Sequence, residues 1–184
     1  MMTIVDKSDE RMTDQQRAIV RKAEYHCGAF DVPSLTAQEF IALREADDAS
    51  VIVVDVRTDA ERSVSQLPRS LSRCDFEQRL NADSPSLRDA TVVVYCTVGR
   101  RSGAYAASLI WRNCCCERVF NSQGIVAYSH HALARGDGPH ALVDAVGRPA
   151  TRVHVYAWPW DLCSGRFESV RFGPLGAAWA AMFG

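Results

Sequence analysis

The sequence predicts an α/β layer fold with a central parallel sheet flanked by helices, and three observations carry that expectation. Val51 to Val56 and Thr91 to Tyr95 are continuous β-branched runs, interrupted only by Asp55 and Tyr95. Unbroken apolar runs of this length belong to parallel strands buried on both faces rather than to half-solvated ones. After the second run come a glycine-containing polar turn and then a helical stretch, so the local order is strand, glycine loop, helix. Alternating strands and helices fold with right-handed crossovers onto a parallel sheet.

The elements follow in chain order. Thr13 to His26 reads as a short amphipathic helix, with Thr13 as N-cap, Gln16 completing a capping box, and Ile19, Val20 and Ala23 as its apolar stripe. A second capping box, Thr36 with Glu39, opens a helix carrying Phe40, Ile41 and Leu43, and Asp47 to Ser50 close it with polar residues. The two strands and the turn Gly99 to Ser102 come next, with a helix expected over Ala104 to Trp111, rich in strong helix formers. Val119 and Phe120 start a short strand ending at Asn121, and Gly124 to Tyr128 begin the next helix or turn. Beyond Arg148 the pattern changes: Val153, Val155 and Ala157 alternate with His154, Tyr156 and Trp158, as in a strand or extended arm, before Pro159 and several glycines break it. The expected organisation is an N-terminal helical extension over residues 1–33, one domain over 34–135, and a C-terminal extension over 136–184 packed on it.

Composition bounds the function. The 184 residues suffice for one ordinary domain, 47% are apolar, and 21 Lys plus Arg nearly balance 22 Asp plus Glu. Nothing in that balance calls for nucleic acid or an anionic membrane as partner. No apolar run of about 18 residues spans a membrane, and the acidic N-terminus lacks the character of a signal or transit peptide, so the expected location is the cytoplasm. The seven cysteines are odd in number and include the adjacent Cys114, Cys115 and Cys116, which favours reduced thiols over a disulfide framework. With no Cys-x-x-Cys pair, these three read as packing residues; Cys163 is a candidate resolving thiol, and Cys27 and Cys74 stand in no motif. His130, His131 and His154 make no metal or triad spacing, and no metal or cofactor is expected. Arg135-Gly136-Asp137 is an unlikely adhesion motif in such a chain, and Trp158 and Trp160 read as anchors for the tail.

The most informative segment is Cys96-Thr97-Val98-Gly99-Arg100-Arg101-Ser102, set between a buried strand and a helix. Successive backbone N–H groups in such a loop converge on its centre, and the following helix adds the positive end of its dipole, so an anion is favoured there. The first anion held is the cysteine's own thiolate, which helix N-termini and neighbouring guanidinium groups stabilise. Cys96 is therefore expected to act as nucleophile. Gly99 suits a positive φ or a close approach, Arg100 and Arg101 are expected to grip an oxyanion with forked hydrogen bonds, and Ser102 to cap the helix.

Cys96 to Arg101 resembles the six-residue active-site loop of rhodanese domains. Ile52-Val53-Val54-Asp55-Val56-Arg57 with Glu61 resembles that family's first strand and its Asp-x-Arg signature, and Val119-Phe120-Asn121 with Gly124-Ile125 resembles the segment that closes the active-site side. The likeness runs from Ser34 to Tyr128. It implies a three-layer α/β domain and a sulfurtransferase that takes sulfane sulfur from thiosulfate, a similar small sulfur-containing anion or a protein persulfide partner, holds it as a Cys96 persulfide, and passes it to a thiol or cyanide. Thr97, Val98, Gly99, Arg100, Arg101 and Ser102 would then bind substrate, and Asp55, Arg57 and Glu61 would support the site structurally, Asp55 and Arg57 as a buried ion pair. One departure stands out: where the family often has Gly-His before Ile-Pro-Gly-Ala, this chain has Ser65-Gln66-Leu67-Pro68-Arg69-Ser70.

Two alternatives remain at this level. The related phosphatase and arsenate-reductase branch separates its cysteine and arginine by five residues, which here would place the arginine at Ser102, and Tyr95 stands where that branch typically has histidine. The other alternative is a binding or regulatory module that keeps the loop without turnover.

Overall fold

The computed structural model describes residues 13–46, 51–82, 85–87, 89–114, 118–134, 142–155 and 163–172. Five parallel strands form the central sheet in the order β1-β5-β4-β2-β3. These are β1 (Ser34–Leu35), β2 (Val51–Asp55), β3 (Leu71–Ser72), β4 (Thr91–Tyr95) and β5 (Arg118–Ser122). β2 and β4 run in register from Val51 opposite Thr91 to Asp55 opposite Tyr95, so Asp55 and Cys96 emerge at neighbouring strand ends. Every residue of β4 is buried, which is why its sequence never alternates.

Side-chain parity divides the sheet between two cores. Val53, Val93 and Tyr95 face one way, packing with Ile19 of α1 (Asp14–Cys27), Phe40 and Ile41 of α2 (Ala37–Glu45), and Ile125 and Val126 of α6 (Gly124–Ala134). Val54, Val92, Val94 and Cys96 face the other way, against Phe76 of α4 (Arg73–Asn81), Leu87, and Tyr105, Ala106 and Leu109 of α5 (Arg100–Trp111). The short α3 (Asp59–Val64) follows β2. Helix, sheet, helix is the expected three-layer arrangement.

Of the described C-terminal residues, Leu142, Ala150, Val153, Val155, Cys163 and Phe167 are buried within the first of these cores. Gln66 and Val143 exchange backbone hydrogen bonds of 2.7 and 2.9 Å. β6 (Arg152–His154) and β7 (Glu168–Val170) pair in parallel as a separate ribbon. His154 is buried along with Val153 and Val155, so the expected alternation does not give this strand a solvated face.

The Thr36–Glu39 capping box forms as expected. Two further boxes, Thr58 with Glu61 and Ser72 with Asp75, start α3 and α4. α5 begins at Arg100, four residues before the expected Ala104: a polar turn with positive φ at Gly99 also serves as a helix entry, so the turn and the first helical turn are the same residues. The Gln16 side chain, residues 47–50, Cys115, Cys116, Arg135-Gly136-Asp137, Tyr156, Ala157, Trp158, Pro159 and Trp160 lie outside the described residues.

At the Leu67-Pro68-Arg69-Ser70 turn, Arg69 takes φ +64°, a left-handed conformation that favours glycine. The left-handed region costs a non-glycine residue about 1–2 kcal/mol, and glycine's extra unfolded-state entropy offsets about half of that. Arg69→Gly is therefore expected to raise stability by roughly 0.5 kcal/mol, a melting-point gain of about 1–2 °C by calorimetry; an unchanged or lower melting point would show that the turn is not strained.

Candidate active site

Cys96 follows the last residue of β4, and its chain reverses into α5 within the next three residues. Gly99 makes that reversal at φ +89° as the N-cap of α5. Behind it there is no space for a side chain: a Cβ on Gly99 would stand 2.5 Å from Cys27 Sγ and 3.0 Å from the Ser122 carbonyl oxygen. Asn121 Nδ2 donates to the Gly99 carbonyl at 2.9 Å, so the end of β5 pins the loop, the closing role expected of that segment. From α6, Ile125 and Val126 donate their N–H groups to the Cys96 and Thr97 carbonyls. Gly124, at φ +89°, allows that approach, since a Cβ there would fall 2.5 Å from the Thr97 oxygen.

Cys96 is 1% exposed. Ser102 lies in the first turn of α5, and its hydroxyl donates to Cys96 Sγ at 3.5 Å. This corrects the expected capping role: the helix has already begun at Arg100, so Ser102 turns inward onto the sulfur. Thr97, Val98 and Gly99 are buried with Cys96.

The guanidinium of Arg101, the residue expected to grip an oxyanion, forks onto Glu61, with Nη1 to Oε2 at 2.8 Å and Nη2 to Oε1 at 2.7 Å. The physical reason is burial: Glu61 has no exposed surface and needs a cation. Thr58 donates to the same carboxylate through its backbone N–H and its hydroxyl, and Thr97 through its hydroxyl at 3.3 Å. His154 Nδ1 stands 3.2 Å from Oε1. Burial alone opposes ionisation of Glu61, but hydrogen bonds from Arg101 and His154, together with the Arg101 charge, hold the carboxyl well below the usual carboxylate range.

A second buried carboxylate lies one strand-end away. Asp55 is paired with Arg57 through Nε at 2.9 Å and Nη2 at 2.7 Å, and accepts from the Tyr95 hydroxyl. Arg57 Nη2 also donates to the Ser65 carbonyl at 2.7 Å. This is the ion pair expected of the Asp-x-Arg signature. Tyr95 carries the network further, since its hydroxyl receives the Leu67 N–H at 3.1 Å and lies 3.2 Å from Ser70 Oγ. Burial and the Asp55 charge push the phenol up, so Tyr95 stays protonated. Beside this network a cleft of about 330 Å³ opens among Val56, Arg57, Thr58, Ser72, Arg73, Cys74 and Glu77.

A model of the rhodanese-like domain matches residues 36–131, more than half of the chain, and spans every element of this site except His154 and Cys27. The chain belongs to the rhodanese-like domain family. A thiosulfate sulfurtransferase from Pseudomonas aeruginosa shares the fold at a TM-score of 0.50 and 22% identity, the match covering 73% of this chain and 23% of that one. A protein of unknown function from Rhodopseudomonas palustris, titled as a possible tyrosine phosphatase, aligns at a TM-score of 0.44 and 23% identity over 68% of this chain and 92% of that one. No curated protein matches the sequence.

Arg100, on the outer side of this rhodanese-like loop, is exposed. Its charge, after burial, helps hold the neighbouring His26 of α1 below its ordinary value. Burial, then the Cys96 and Glu24 charges, push the Cys27 thiol up to about 12, so this sulfur stays a thiol behind the loop. Cys163 serves its own ribbon, donating to the Phe167 carbonyl at 3.3 Å and lying 2.8 Å from Ser169 Oγ. No disulfide and no metal-binding cluster occurs among the described residues. No helix among them is long and apolar enough to cross a membrane.

Glu61, Thr58 and His154 are more central than the sequence reading made them. The Thr58-x-x-Glu61 spacing was a legible capping-box signal, whereas nothing near His154 in the chain points to Glu61.

Two outcomes are expected. Gly124→Ala should destabilise the protein by more than about 2 kcal/mol, because its Cβ meets backbone that cannot yield and its φ is positive; a denaturation midpoint matching the parent would contradict the packing. Glu61→Gln should cost about 3–5 kcal/mol at pH 7 by leaving the Arg101 cation without its partner. Because Glu61 is depressed from 4.5, its contribution is present above that value and declines as the pH falls below it. The glutamine variant should therefore show a flatter loss of stability than the parent below about pH 4.5, and parallel curves would refute the assignment.

Proposed function

We propose that the protein is a sulfurtransferase in which Cys96 carries sulfane sulfur as a persulfide. The observation that supports it most is the sulfur's setting: Cys96 Sγ at the mouth of a buried strand, with the first turn of α5 directed at it and the Ser102 hydroxyl donating to it. That hydroxyl is a donor that a persulfide sulfur can equally use.

In the first half-reaction the Cys96 thiolate attacks the outer sulfur of thiosulfate. The new S–S bond forms as the donor's S–S bond breaks, and sulfite leaves with the electron pair. In the second, a thiolate or cyanide attacks the outer sulfur of the persulfide, and the Cys96 thiolate is regenerated as leaving group. Arg100, exposed at the rim, is the cation that orients the donor's sulfonate. Arg101 holds the loop through Glu61 and does not bind the donor directly. The position that carries arginine in the phosphatase branch is Ser102, which supplies a hydroxyl to sulfur but no guanidinium for a tetrahedral oxyanion. A protein persulfide donor fits the same chemistry.

Intact mass spectrometry before and after thiosulfate, with peptide mapping, tests this. One added sulfur on Cys96, absent from Cys96→Ser and discharged by cyanide, is the expected result; no adduct on the folded parent would sink the reading. Arg100→Ala should raise the KM for thiosulfate about tenfold at near-parental stability, the loss of one charge-assisted contact, and an unchanged KM would remove Arg100 from donor binding.

A further inference from the structure

Glu61 reaches the loop through Arg101 and Thr97, and among the described residues it meets the C-terminal segment at His154. That side chain comes from β6, beyond the end of the matched domain at residue 131. It is 3% exposed, it places Nδ1 3.2 Å from Glu61 Oε1, and its ring stacks on Phe172 with centroids 4.2 Å apart.

We propose that His154 is a positioning residue for the active-site loop, so that the segment after the rhodanese-like domain completes the site. The argument starts from Glu61. The imidazole meets this carboxylate at Oε1, with Nδ1 at ion-pair distance, 3.2 Å away. Oε1 is the oxygen that also receives Thr97 Oγ1 and Arg101 Nη2, the two groups that belong to the loop. Oε2 receives the Thr58 N–H and hydroxyl from α3's own cap together with Arg101 Nη1. His154 thus meets the carboxylate at the oxygen that holds both Thr97 and Arg101. Phe172 sets the plane of the imidazole by stacking, and the β6–β7 pairing fixes the strand that carries it. The chain of contacts runs from Phe172 to His154, Glu61, Arg101 and Thr97, and ends beside Cys96. Geometry of this kind matters to a reaction that requires the sulfur, the loop amides and the donor to be aligned, since misplacement of reacting groups by about 1 Å costs up to about a hundredfold in rate.

This rests on the sulfurtransferase reading only for its effect on rate; the positioning itself is read without turnover. In the full-length chain, His154→Asn keeps an N–H donor close to the Nδ1 position, and His154→Leu fills the space without one. Hydrogen exchange at residues 97–101 should quicken at least about fivefold in the leucine variant and stay within about twofold of the parent in the asparagine variant. The rate of Cys96 persulfide formation from saturating thiosulfate should follow the same order, with the KM little changed. Phe172→Ala, which keeps the imidazole but frees its orientation, provides a milder second variant should His154→Leu fail to fold, and it should fall between the two. Loop exchange unaltered in the folded variants, or an asparagine variant as impaired as the leucine one, would overturn the proposal. Quickened exchange in a protein whose parent forms no persulfide would support the positioning and defeat the sulfurtransferase reading instead.

Discussion

Glu61 is fully buried and ionised, and such a group persists only when donors surround it on all sides. Much of the site's architecture follows from that constraint. Its partners come from three places in the chain: Thr58 at the start of α3 and Thr97 and Arg101 in the loop after β4 as donors, and His154 on β6 at ion-pair distance. Each partner's backbone must arrive at one point, so a single carboxylate fixes the relative positions of the first strand's exit, the cysteine loop and the C-terminal ribbon. A neutral side chain would leave Arg101 without its partner and the loop without its tether. Buried ion pairs are seldom large net contributors to stability, yet removing one member is costly. Here the pair's value lies in the geometry it imposes.

Asp55 repeats the device at the adjacent strand end with different consequences. Its partners, Arg57 and Tyr95, tie β2 to β4 and extend to the turn around Leu67 and Ser70. The Tyr95 hydroxyl is taken up by Asp55, Leu67 and Ser70, while the Ser102 hydroxyl donates to Cys96 Sγ. The two carboxylates divide the work: Asp55 organises the frame beneath the site and Glu61 organises the loop itself. Arg100 is then left exposed at the surface.

The fold was legible because its signals are local. The β-branched runs, the capping box at Thr36, and the order of strand, glycine loop and helix all depend on neighbouring residues, and each appears in the structure within a few positions. The cysteine loop was legible for the same reason. What escaped the sequence depends on contacts between distant segments. Arg101 reads as an anion clamp when only its neighbours are considered, and as a strut once Glu61 is brought against it. Ser102 reads as a cap until the helix is found to start at Arg100. His154 sits in an alternating pattern that places it opposite Val153 and Val155, a pattern that carries no information about a strand end where His154 is buried with them. The matched family region ends before His154, so the family resemblance was silent on it too.

Gly99 has Cys27 packed directly behind it, close enough that even a methyl group would collide with the sulfur. The loop and the last turn of α1 are therefore complementary surfaces with no slack between them, and the residue at 27 limits what the loop's reverse side can become. Transplanting this loop into a related domain without its N-terminal helix would leave the rear of Gly99 open to solvent, while keeping the helix but enlarging residue 27 would push the loop toward the sulfur it encloses. Natural variation at these two positions is thus expected to be correlated, and protein engineers would have to treat them as a single unit of exchange.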